Sequence, residues 1–548
     1  MPQFDLHEIA FPTLTDKQVE QLGGCTGAKI SKHAAGDVLI QVGDRNFRFF
    51  VIRSGEVEIL DPSGDEPTTI AIHGPGEFTG DVSHLTGTPA IFRAVALSDC
   101  ELYAIAGDLL KQVINQCPDL GDIILRAFMA RRQMVRESGT FIGLRVIGSR
   151  YSPDTFRIRD FLAKNLVLFT WTDLEANPDV EQLLKHFGLT EAETPVVVCK
   201  DHVLRNPSNR DIADAIGIHK VLNTTVYDLA VVGAGPAGLA AAVYGASEGL
   251  NTVVLERTAP GGQAGSSMRI ENYLGFPTGL TGSDLAERAV LQANKFGAVL
   301  SIPAPVLGVT FNGGYSVIAL DGGDTVVAKT MIVATGADYR RLEVEGCARF
   351  EGSGVFYAAT PNEVQQCRGN DVAVVGGGNS AGQAAVFLAG QANRVFIIIR
   401  AGDIYKQMST YLARRIEQTA NIEILVDTSI ERMGGNGSLS QIDIVNARTG
   451  ERRTIPLVAL FSFIGATPRT EWLPKDIETD ARGFVRTGPA VEHLSDGISR
   501  REPFLLETSR RGVFAAGDVR ASSVKRVASA VGEGSMAIQF VHEYLKEM

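Results

Sequence analysis

Hydrophobic residues change their spacing several times along the chain, and each change predicts a different kind of element. Near the start, short apolar runs at residues 36–40, 49–60 and 68–72 are interrupted by glycine, which is typical of β-strands joined by turns. Residues 109–135 then place apolar positions at helical spacing. We therefore predict that residues 1–136 form a domain of short strands that ends in helix.

The next segment, residues 141–222, alternates the two patterns within a compact span. It predicts strand at residues 144–148, helix at 155–164, strand at 166–170, helix at 180–187 and strand at 195–199. A small α/β domain is expected here.

A continuous apolar run at residues 229–232 predicts a strand that is buried on both faces. Directly after it comes the spacing G-x-G-x-x-G, whose glycines are Gly233, Gly235 and Gly238. Pro236 and Ala237 occupy the two positions before the last glycine. The first glycine permits a tight turn, the second lets the backbone approach a pyrophosphate, and the third lets the next helix pack on the strand. We call residues 233–238 the first fingerprint; its alternative interpretation is a flexible loop.

A second strand, residues 252–255, ends at Glu256, about twenty residues beyond the first fingerprint. A carboxylate at this place can accept hydrogen bonds from both ribose hydroxyls of an adenosine. Glu256 therefore favours a dinucleotide with an unphosphorylated ribose, such as FAD or NAD.

The same pattern recurs after the apolar residues 372–375. It runs through Gly376, Gly378, Asn379, Ser380 and Ala381, which we call the second fingerprint, and it ends in alanine instead of glycine. Two such units imply two dinucleotides. The strand that follows, residues 395–399, ends at Arg400, which occupies the place that Glu256 has in the first unit.

Arg400 favours NADPH as the second dinucleotide. A guanidinium can pair bidentately with a 2′-phosphate, whereas a carboxylate would repel it. The alternative is that Arg400 is only a solvated residue at the end of a strand.

Composition limits the function classes. The 548 residues allow three or four domains, and 45% hydrophobic with 21% charged residues is ordinary for a globular protein. A net charge of −11 argues against a nucleic-acid partner. Neither a signal peptide nor a membrane span is predicted, so we expect a cytoplasmic protein. The six cysteines form no C-x-x-C pair, which predicts neither a metal site nor a local redox dithiol.

From residue 227 to the end, the order of motifs resembles the low-molecular-weight thioredoxin reductase family. Beyond the two fingerprints, the residues that carry the resemblance are Gly262, Gln263, Asn272, Thr335, Gly336, Gly517, Asp518, Arg526, Val527 and Ala528. The resemblance implies that these residues and Glu256 surround FAD, with Asp518 at the ribityl chain and residues 526–528 at the helix that closes over the flavin. It also implies a homodimer.

The fold class expected from these observations is multidomain α/β. Two Rossmann-like dinucleotide-binding domains, for FAD and NAD(P)H, are preceded by a β-roll and a thioredoxin-like α/β module. The predicted domains span residues 1–136, 141–222, 225–339, 340–467 and 468–548, of which the third and fifth together bind FAD.

One departure from this family decides the predicted chemistry. The family has a C-A-T-C-D run whose two thiols take electrons from the flavin, but this chain has Ala358 and Pro361 at the cysteine positions and Asn362 at the acid. Cys367 has no near partner in the sequence, and a lone cysteine is usually a packed small side chain. We therefore assign no catalytic side chain.

The N-terminal 136 residues resemble the cyclic nucleotide-binding domain. Its phosphate cassette matches residues 76–81 and Pro89-Ala90, with Asp81 as the acid, but Ala90 stands where the phosphate-binding arginine belongs. Without that guanidinium a cyclic phosphate loses a charge-assisted pair. We expect a regulatory roll that binds no nucleotide; the alternative is a sensor in which Arg93 takes the role.

Residues 141–222 resemble a glutaredoxin that has lost both cysteines. The redox position is Ser152-Pro153-Asp154-Thr155, and Thr194-Pro195 matches the family's cis-proline. Serine and threonine provide no accessible thiolate at this helix N-terminus. The predicted role is a docking or spacer module.

Together these features predict an oxidoreductase that passes hydride from NADPH to FAD and then directly to an acceptor. Ferredoxin, a quinone, oxygen and a protein disulfide remain open as that acceptor. Two other functions also remain: a flavin-loaded redox sensor with little turnover, and a thioredoxin-disulfide reductase that uses another thiol.

Overall fold

The computed structural model describes residues 5–62, 67–138, 144–177, 184–185, 188–199, 202–220, 222, 225–359, 361–364, 367–493 and 501–548. The helix predicted for residues 180–187 lies outside these ranges except at Leu184 and Lys185. Within them, no helix combines the length and the apolar character needed to cross a membrane.

Residues 5–138, the N-terminal roll, consist of two antiparallel sheets and flanking helices. Its elements are α1 (Leu6–Ala10), α2 (Asp16–Thr26), β1 (Ile30–His33), β2 (Val38–Ile40), β3 (Phe49–Ser54), β4 (Val57–Asp61), β5 (Thr68–His73), α3 (Ser83–Thr86), β6 (Arg93–Ala96), β7 (Cys100–Ile105), α4 (Gly107–Gln116) and α5 (Pro118–Ser138). The strand orders are β1-β7-β3 and β2-β6-β4-β5. Fully buried Phe49, Phe78 and Phe128 join the sheets to α5.

The helical prediction for residues 109–135 is confirmed except for one break at Cys117, which separates α4 from α5. Cys117 leaves the helical conformation, with φ −119° and ψ 81°, and α5 begins at Pro118. Proline lacks the backbone N–H that would continue α4, and it pushes the preceding residue away from the α region.

In its described part, the middle module (residues 144–220) has a four-stranded mixed sheet flanked by helices. Its elements are β8 (Leu144–Gly148), α6 (Pro153–Lys164), β9 (Thr170–Asp173), β10 (Val196–Cys199), β11 (His202–Arg205) and α7 (Asn209–Ile216), in the strand order β11-β10-β8-β9. The strand predicted for residues 166–170 is wrong and starts only at Thr170. Leu166 has φ 58°, a left-handed conformation that turns the chain back after α6.

The first Rossmann-like domain is built from two separate parts of the chain. Its first part contains β12 (Tyr227–Val232), α8 (Pro236–Ser247), β13 (Thr252–Leu255), α9 (Gly262–Gly265), α10 (Gly282–Lys295), β14 (Val299–Ser301), β15 (Val306–Asn312), β16 (Tyr315–Leu320), β17 (Thr325–Val333) and β18 (Ala337–Tyr339). Strand order in its sheet is β14-β13-β12-β17-β16-β15. The pairings of β12 with β13 and β17 are parallel, as the two-faced apolar run predicts.

The second Rossmann-like domain, residues 340–467, repeats this plan. It contains α11 (Cys347–Phe350), β19 (Val355–Phe356), α12 (Pro361–Val364), β20 (Asp371–Val375), α13 (Asn379–Ala389), β21 (Arg394–Ile398), α14 (Thr410–Glu417), β22 (Ile422–Leu425), β23 (Thr428–Gly434), β24 (Gln441–Asn446), β25 (Arg452–Pro456), β26 (Ala459–Ser462) and β27 (Ala466–Pro468). A parallel sheet β19-β26-β20-β21-β22 carries an antiparallel sheet β23-β24-β25, and β27 pairs with β18 between the domains.

The chain then returns to the first domain through β28 (Val513–Ala515), which lies parallel to β17, and α15 (Val527–Glu547). Helix α15 crosses α8 very closely: a Cβ on Gly534 would lie 2.1 Å from the Ala237 carbonyl oxygen. This packing brings residues 517–528 beside the first fingerprint.

Candidate cofactor site

The first fingerprint contains two glycines that packing requires and one that faces open space. A Cβ on Gly233 would lie 2.4 Å from the Ala334 oxygen, and one on Gly238 would lie 1.9 Å from the Gly233 oxygen. At Gly235 the nearest heavy atom to an added Cβ is the Gly262 Cα at 4.0 Å. Gly235 also caps α8 without a side-chain hydrogen bond, so the first N–H groups of that helix remain available to an anion.

Glu256 lies directly over this turn. Its carboxylate accepts hydrogen bonds from the backbone N–H groups of Ala234 (2.7 Å), Thr258 (2.9 Å) and Ala259 (3.3 Å). An ionised carboxylate offers about four acceptor positions. At least one therefore remains for a ribose hydroxyl, while the other bonds hold the carboxylate in place.

We expect that Glu256→Ala weakens FAD binding by about 1–3 kcal/mol, because buried donors lose their acceptor. Apoprotein titrated with FAD, with flavin fluorescence as the readout, gives the dissociation constant. Glu256→Gln is the matched control, since it keeps one acceptor oxygen and should bind FAD more tightly than the alanine variant. Co-purification of FMN, or an unchanged FAD dissociation constant in Glu256→Ala, would contradict this role.

The remaining predicted flavin residues, except Ala528, line a cavity beside the first fingerprint, but they differ in how many hydrogen bonds their side chains already make. Gln263 donates its side-chain amide to the Ala337 carbonyl. The Thr335 hydroxyl donates to the Arg469 carbonyl at 2.9 Å. Asn272 is exposed, and Gly262 and Gly336 have positive φ angles of 54° and 66°. Through these bonds, Gln263 and Thr335 also stabilise the segments at Ala337 and Arg469, where the chain passes between the two domains.

Asp518 is the acidic residue in this part of the fold whose carboxylate remains available to a ligand. Burial raises the pKa of its carboxyl, Lys525 opposes that rise and Glu533 adds to it. Within the described ranges, no hydrogen bond to its carboxylate is recorded, whereas the N–H of the preceding Gly517 donates to Glu533 at 2.7 Å. Such a half-buried carboxylate suits a polyol chain that donates hydroxyl groups. Arg526 caps α15, so Val527 and Ala528 form its first turn next to Asp518.

The second fingerprint reproduces the geometry of the first. A Cβ on Gly376 would lie 2.5 Å from the Phe463 oxygen, whereas one on Gly378 would meet nothing within 4 Å. Gly378 caps α13 without a side-chain hydrogen bond, Ala381 is buried, and the Asn379 side chain accepts from the Ser409 N–H at 2.7 Å. A second pyrophosphate therefore fits at this helix N-terminus.

Arg400 lies exposed just after β21. No hydrogen bond or ion pair of its guanidinium is recorded among the described residues. Neighbouring Tyr405, by contrast, donates its hydroxyl to Glu417 at 2.6 Å. Arg400 is thus a cation without a structural partner beside the second fingerprint.

The two fingerprints and Asp518 line one continuous cavity of about 2830 Å³, which also extends along the N-terminal roll and the middle module. Tyr339 lies between the two sites: its pKa is raised by burial and by the nearby Asp518 carboxylate, and the neighbouring Ser380 side chain opposes that rise. Sequence reasoning missed Tyr339, since no motif marks it.

Parts of the predicted phosphate cassette of the N-terminal roll already bind to other groups of the protein. Arg131 of α5 donates to the carbonyls of Ala10, Phe78 and Gly80 at 2.8, 2.9 and 2.6 Å. Asp81 accepts from the Ser83 N–H at 2.9 Å. Ala90 is buried, so its side chain supplies no cation.

Calorimetry with cyclic AMP and cyclic GMP is expected to detect no binding at micromolar concentration, because Ala90 cannot pair with the phosphate. Arg93 stands half-buried nearby and is the alternative cation named from the sequence. Saturable binding that Arg93→Ala abolishes would show that Arg93 has taken the role.

Comparison with known proteins matches two parts of the chain. The family model described as pyridine nucleotide-disulphide oxidoreductase matches residues 227–534, and the cyclic nucleotide-binding domain matches residues 31–117. A thioredoxin reductase of Treponema pallidum is 34% identical over 322 residues, which is 59% of this chain and 98% of the relative. A thioredoxin reductase of Bacillus subtilis is 31% identical over 59% of this chain and 96% of the relative.

The comparison with solved structures also finds thioredoxin reductases. The thioredoxin reductase of Lactococcus lactis in its FR conformation is 28% identical with a TM-score of 0.53, and 59% of this chain covers 100% of it. The thioredoxin reductase of T. acidophilum is also 28% identical, with a TM-score of 0.52, and 58% of this chain covers 98% of it. The match to the oxidoreductase family model, residues 227–534, includes both fingerprints and lies outside the middle module.

Proposed function

Because the chain belongs to the pyridine nucleotide-disulphide oxidoreductase family, we propose that it oxidises NADPH through FAD and passes the electrons to an acceptor without a protein dithiol. It is a thioredoxin reductase-like oxidoreductase whose cofactors are FAD and NADPH. When bound, these cofactors supply hydride transfer and electron storage. The protein's part is to hold and orient them.

Each fingerprint would hold one pyrophosphate at a helix N-terminus, at Gly235 for FAD and at Gly378 for NADPH. Glu256 would accept from the adenosine ribose of FAD, and Asp518 from its ribityl chain. Arg400 would pair with the 2′-phosphate of NADPH. The single observation that carries the proposal is that both fingerprints, Asp518 and Tyr339 line one cavity.

The segment that carries two cysteines in the resembled reductases supports an exit route without thiols. Ala358 stands at the first of these positions. Helix α6 of the middle module packs against this region, because the Phe156 and Phe356 rings lie 5.8 Å apart and a Cβ on Gly352 would lie 3.8 Å from the Pro153 Cα. A disulfide-bonded protein that approached this region would contact the middle module. No cysteine thiol would stand at the Ala358 position to react with its disulfide.

A reductase that uses another thiol is less well supported. Cys367 is fully buried, its thiol donates to the Glu363 carbonyl, and burial raises its pKa to about 12. A thiol that keeps its proton at neutral pH is a poor nucleophile.

A redox sensor is the second candidate, because the N-terminal roll is tied to the first Rossmann-like domain. Glu287 of α10 pairs with Arg132 at 3.2 Å and with Arg136 at 3.3 Å, and Asn115 donates to the Lys295 carbonyl at 2.9 Å. These contacts offer a path by which the cofactor state would reach the roll. Partner proteins would then bind the roll.

Steady-state assays separate the two functions. Full-length protein is mixed with NADPH and, in turn, with ferredoxin, a quinone, oxygen and a protein disulfide. Rapid NADPH oxidation with any of the four acceptors supports the proposed enzyme. Bleaching of the flavin without turnover contradicts it and supports a sensor.

The resembled reductases are homodimers joined through their FAD domains, so we expect this chain to form a dimer. Light scattering of the purified full-length protein at several concentrations measures the mass. A mass of one chain at all concentrations would contradict the expectation and would mean that the N-terminal domains cover that surface.

A further inference from the structure

Two cysteines that are far apart in the sequence meet in the N-terminal roll. Cys25 lies near the end of α2 and is exposed, and Cys117 lies half-buried at the break between α4 and α5. Their Sγ atoms are 3.6 Å apart, although 92 positions separate them in the chain. The absence of a C-x-x-C motif therefore does not exclude a redox pair, and the sequence-based expectation of no local dithiol does not cover this one.

The surroundings of the pair leave one sulfur open to solvent. Cys25 is exposed, whereas Cys100, Cys347 and Cys367 are buried and shielded from oxidants. A disulfide needs a sulfur separation of about 2.05 Å, so the two Sγ atoms must approach by about 1.5 Å. Side-chain rotation at the end of a helix and at a non-helical residue can supply such a movement.

We propose that Cys25 and Cys117 are a modification site that a peroxide oxidises to a disulfide. In the first step, one thiol loses its proton, the thiolate attacks an oxygen of hydrogen peroxide, and the O–O bond breaks to give a sulfenic acid and a hydroxide, which takes up that proton and leaves as water. The second sulfur then attacks the sulfenic sulfur, the S–O bond breaks, and a second water leaves. One peroxide is reduced and two thiols are oxidised, with both thiol protons ending in water.

The position of the two cysteines would let their oxidation affect contacts outside the N-terminal roll. Cys117 directly precedes α5, a 21-residue helix that carries Arg131 to the phosphate cassette and Arg132 to Glu287 of the first Rossmann-like domain. Two residues before Cys117, Asn115 contacts α10. The disulfide would fasten α2 to the junction of α4 and α5, where the roll meets the first Rossmann-like domain.

The hydrogen bond with Cys117 raises the pKa of the Cys25 thiol. The reactive thiolate is therefore scarce at neutral pH and increases as pH rises. Disulfide formation by peroxide should accelerate between neutral and alkaline pH.

The test treats FAD-loaded, full-length protein with stoichiometric hydrogen peroxide. Thiols are then counted after denaturation, and a non-reduced digest is examined by mass spectrometry. The count should fall by two from the six cysteines of the chain, with a linked peptide that contains Cys25 and Cys117. Cys25→Ser and Cys117→Ser should each lose this paired reaction, while the matched control Cys199→Ser keeps it.

Three results would overturn the proposal: an unchanged thiol count, a linked peptide that contains a different cysteine, or a sulfinic acid at Cys25 without any linked peptide. Dithiothreitol should restore the original thiol count if the disulfide has formed. Persistent loss after dithiothreitol would also contradict it, because it indicates irreversible oxidation.

Discussion

Gly378→Ala is expected to weaken NADPH binding by about ten- to a hundredfold while FAD stays bound. An added methyl group at Gly378 meets no protein atom within 4 Å, so the variant should fold. The methyl group would instead occupy the space at the start of α13 where a pyrophosphate approaches the backbone. Overfilling a packed contact costs about 1–3 kcal/mol.

The measurement is the NADPH dissociation constant, together with the flavin absorbance of the purified variant. Gly235→Ala is the matched control, because Gly235 has the same place in the first fingerprint and an added Cβ there is 4.0 Å from the nearest heavy atom. It should lose FAD instead. Normal NADPH affinity in Gly378→Ala would mean that the nucleotide does not cross this turn.

Arg400→Ala is expected to lower kcat/KM for NADPH by a factor that corresponds to about 1.5–3 kcal/mol, and to leave NADH nearly unchanged. The guanidinium is exposed beside the second fingerprint, and only NADPH offers it a 2′-phosphate. We expect wild type to prefer NADPH, although the resembled family has a larger basic cluster here than this chain.

Arg394→Ala is a suitable control for this prediction. Arg394 begins the same strand, pairs with Asp371 at 3.5 Å and Glu423 at 3.6 Å, and lies at the end of β21 away from the fingerprint. Its loss should affect neither nucleotide. Equal losses of kcat/KM for both nucleotides in Arg400→Ala, or a wild-type preference for NADH, would contradict this role. Arg400 would then be only a solvated residue at the end of a strand.

The two fingerprints could be predicted because each rests on local constraints. Gly233 and Gly376 sit against a carbonyl of a neighbouring strand, so a side chain is excluded at both. Such a constraint appears in the sequence as the same glycine spacing directly after each apolar run. The family match then confirmed the fold class that this spacing indicates.

Contacts between distant segments could not be predicted in the same way. Tyr339 meets Ser380, and Cys25 meets Cys117, only because the folded domains bring them together. The break at Pro118 is different, since the proline was visible in the sequence. There the helical periodicity on both sides hid a boundary that backbone chemistry requires.

The account's central claim is that electrons leave the flavin without a protein dithiol. Anaerobic titration of the Cys25→Ser variant with NADPH tests it most directly, because that variant lacks the proposed surface pair and flavin absorbance reports each electron pair taken up. A flavin alone stores two electrons, so we expect complete bleaching after one NADPH per FAD. Consumption of two NADPH per FAD would reveal a second two-electron centre, such as a disulfide in contact with the flavin, and would contradict the account.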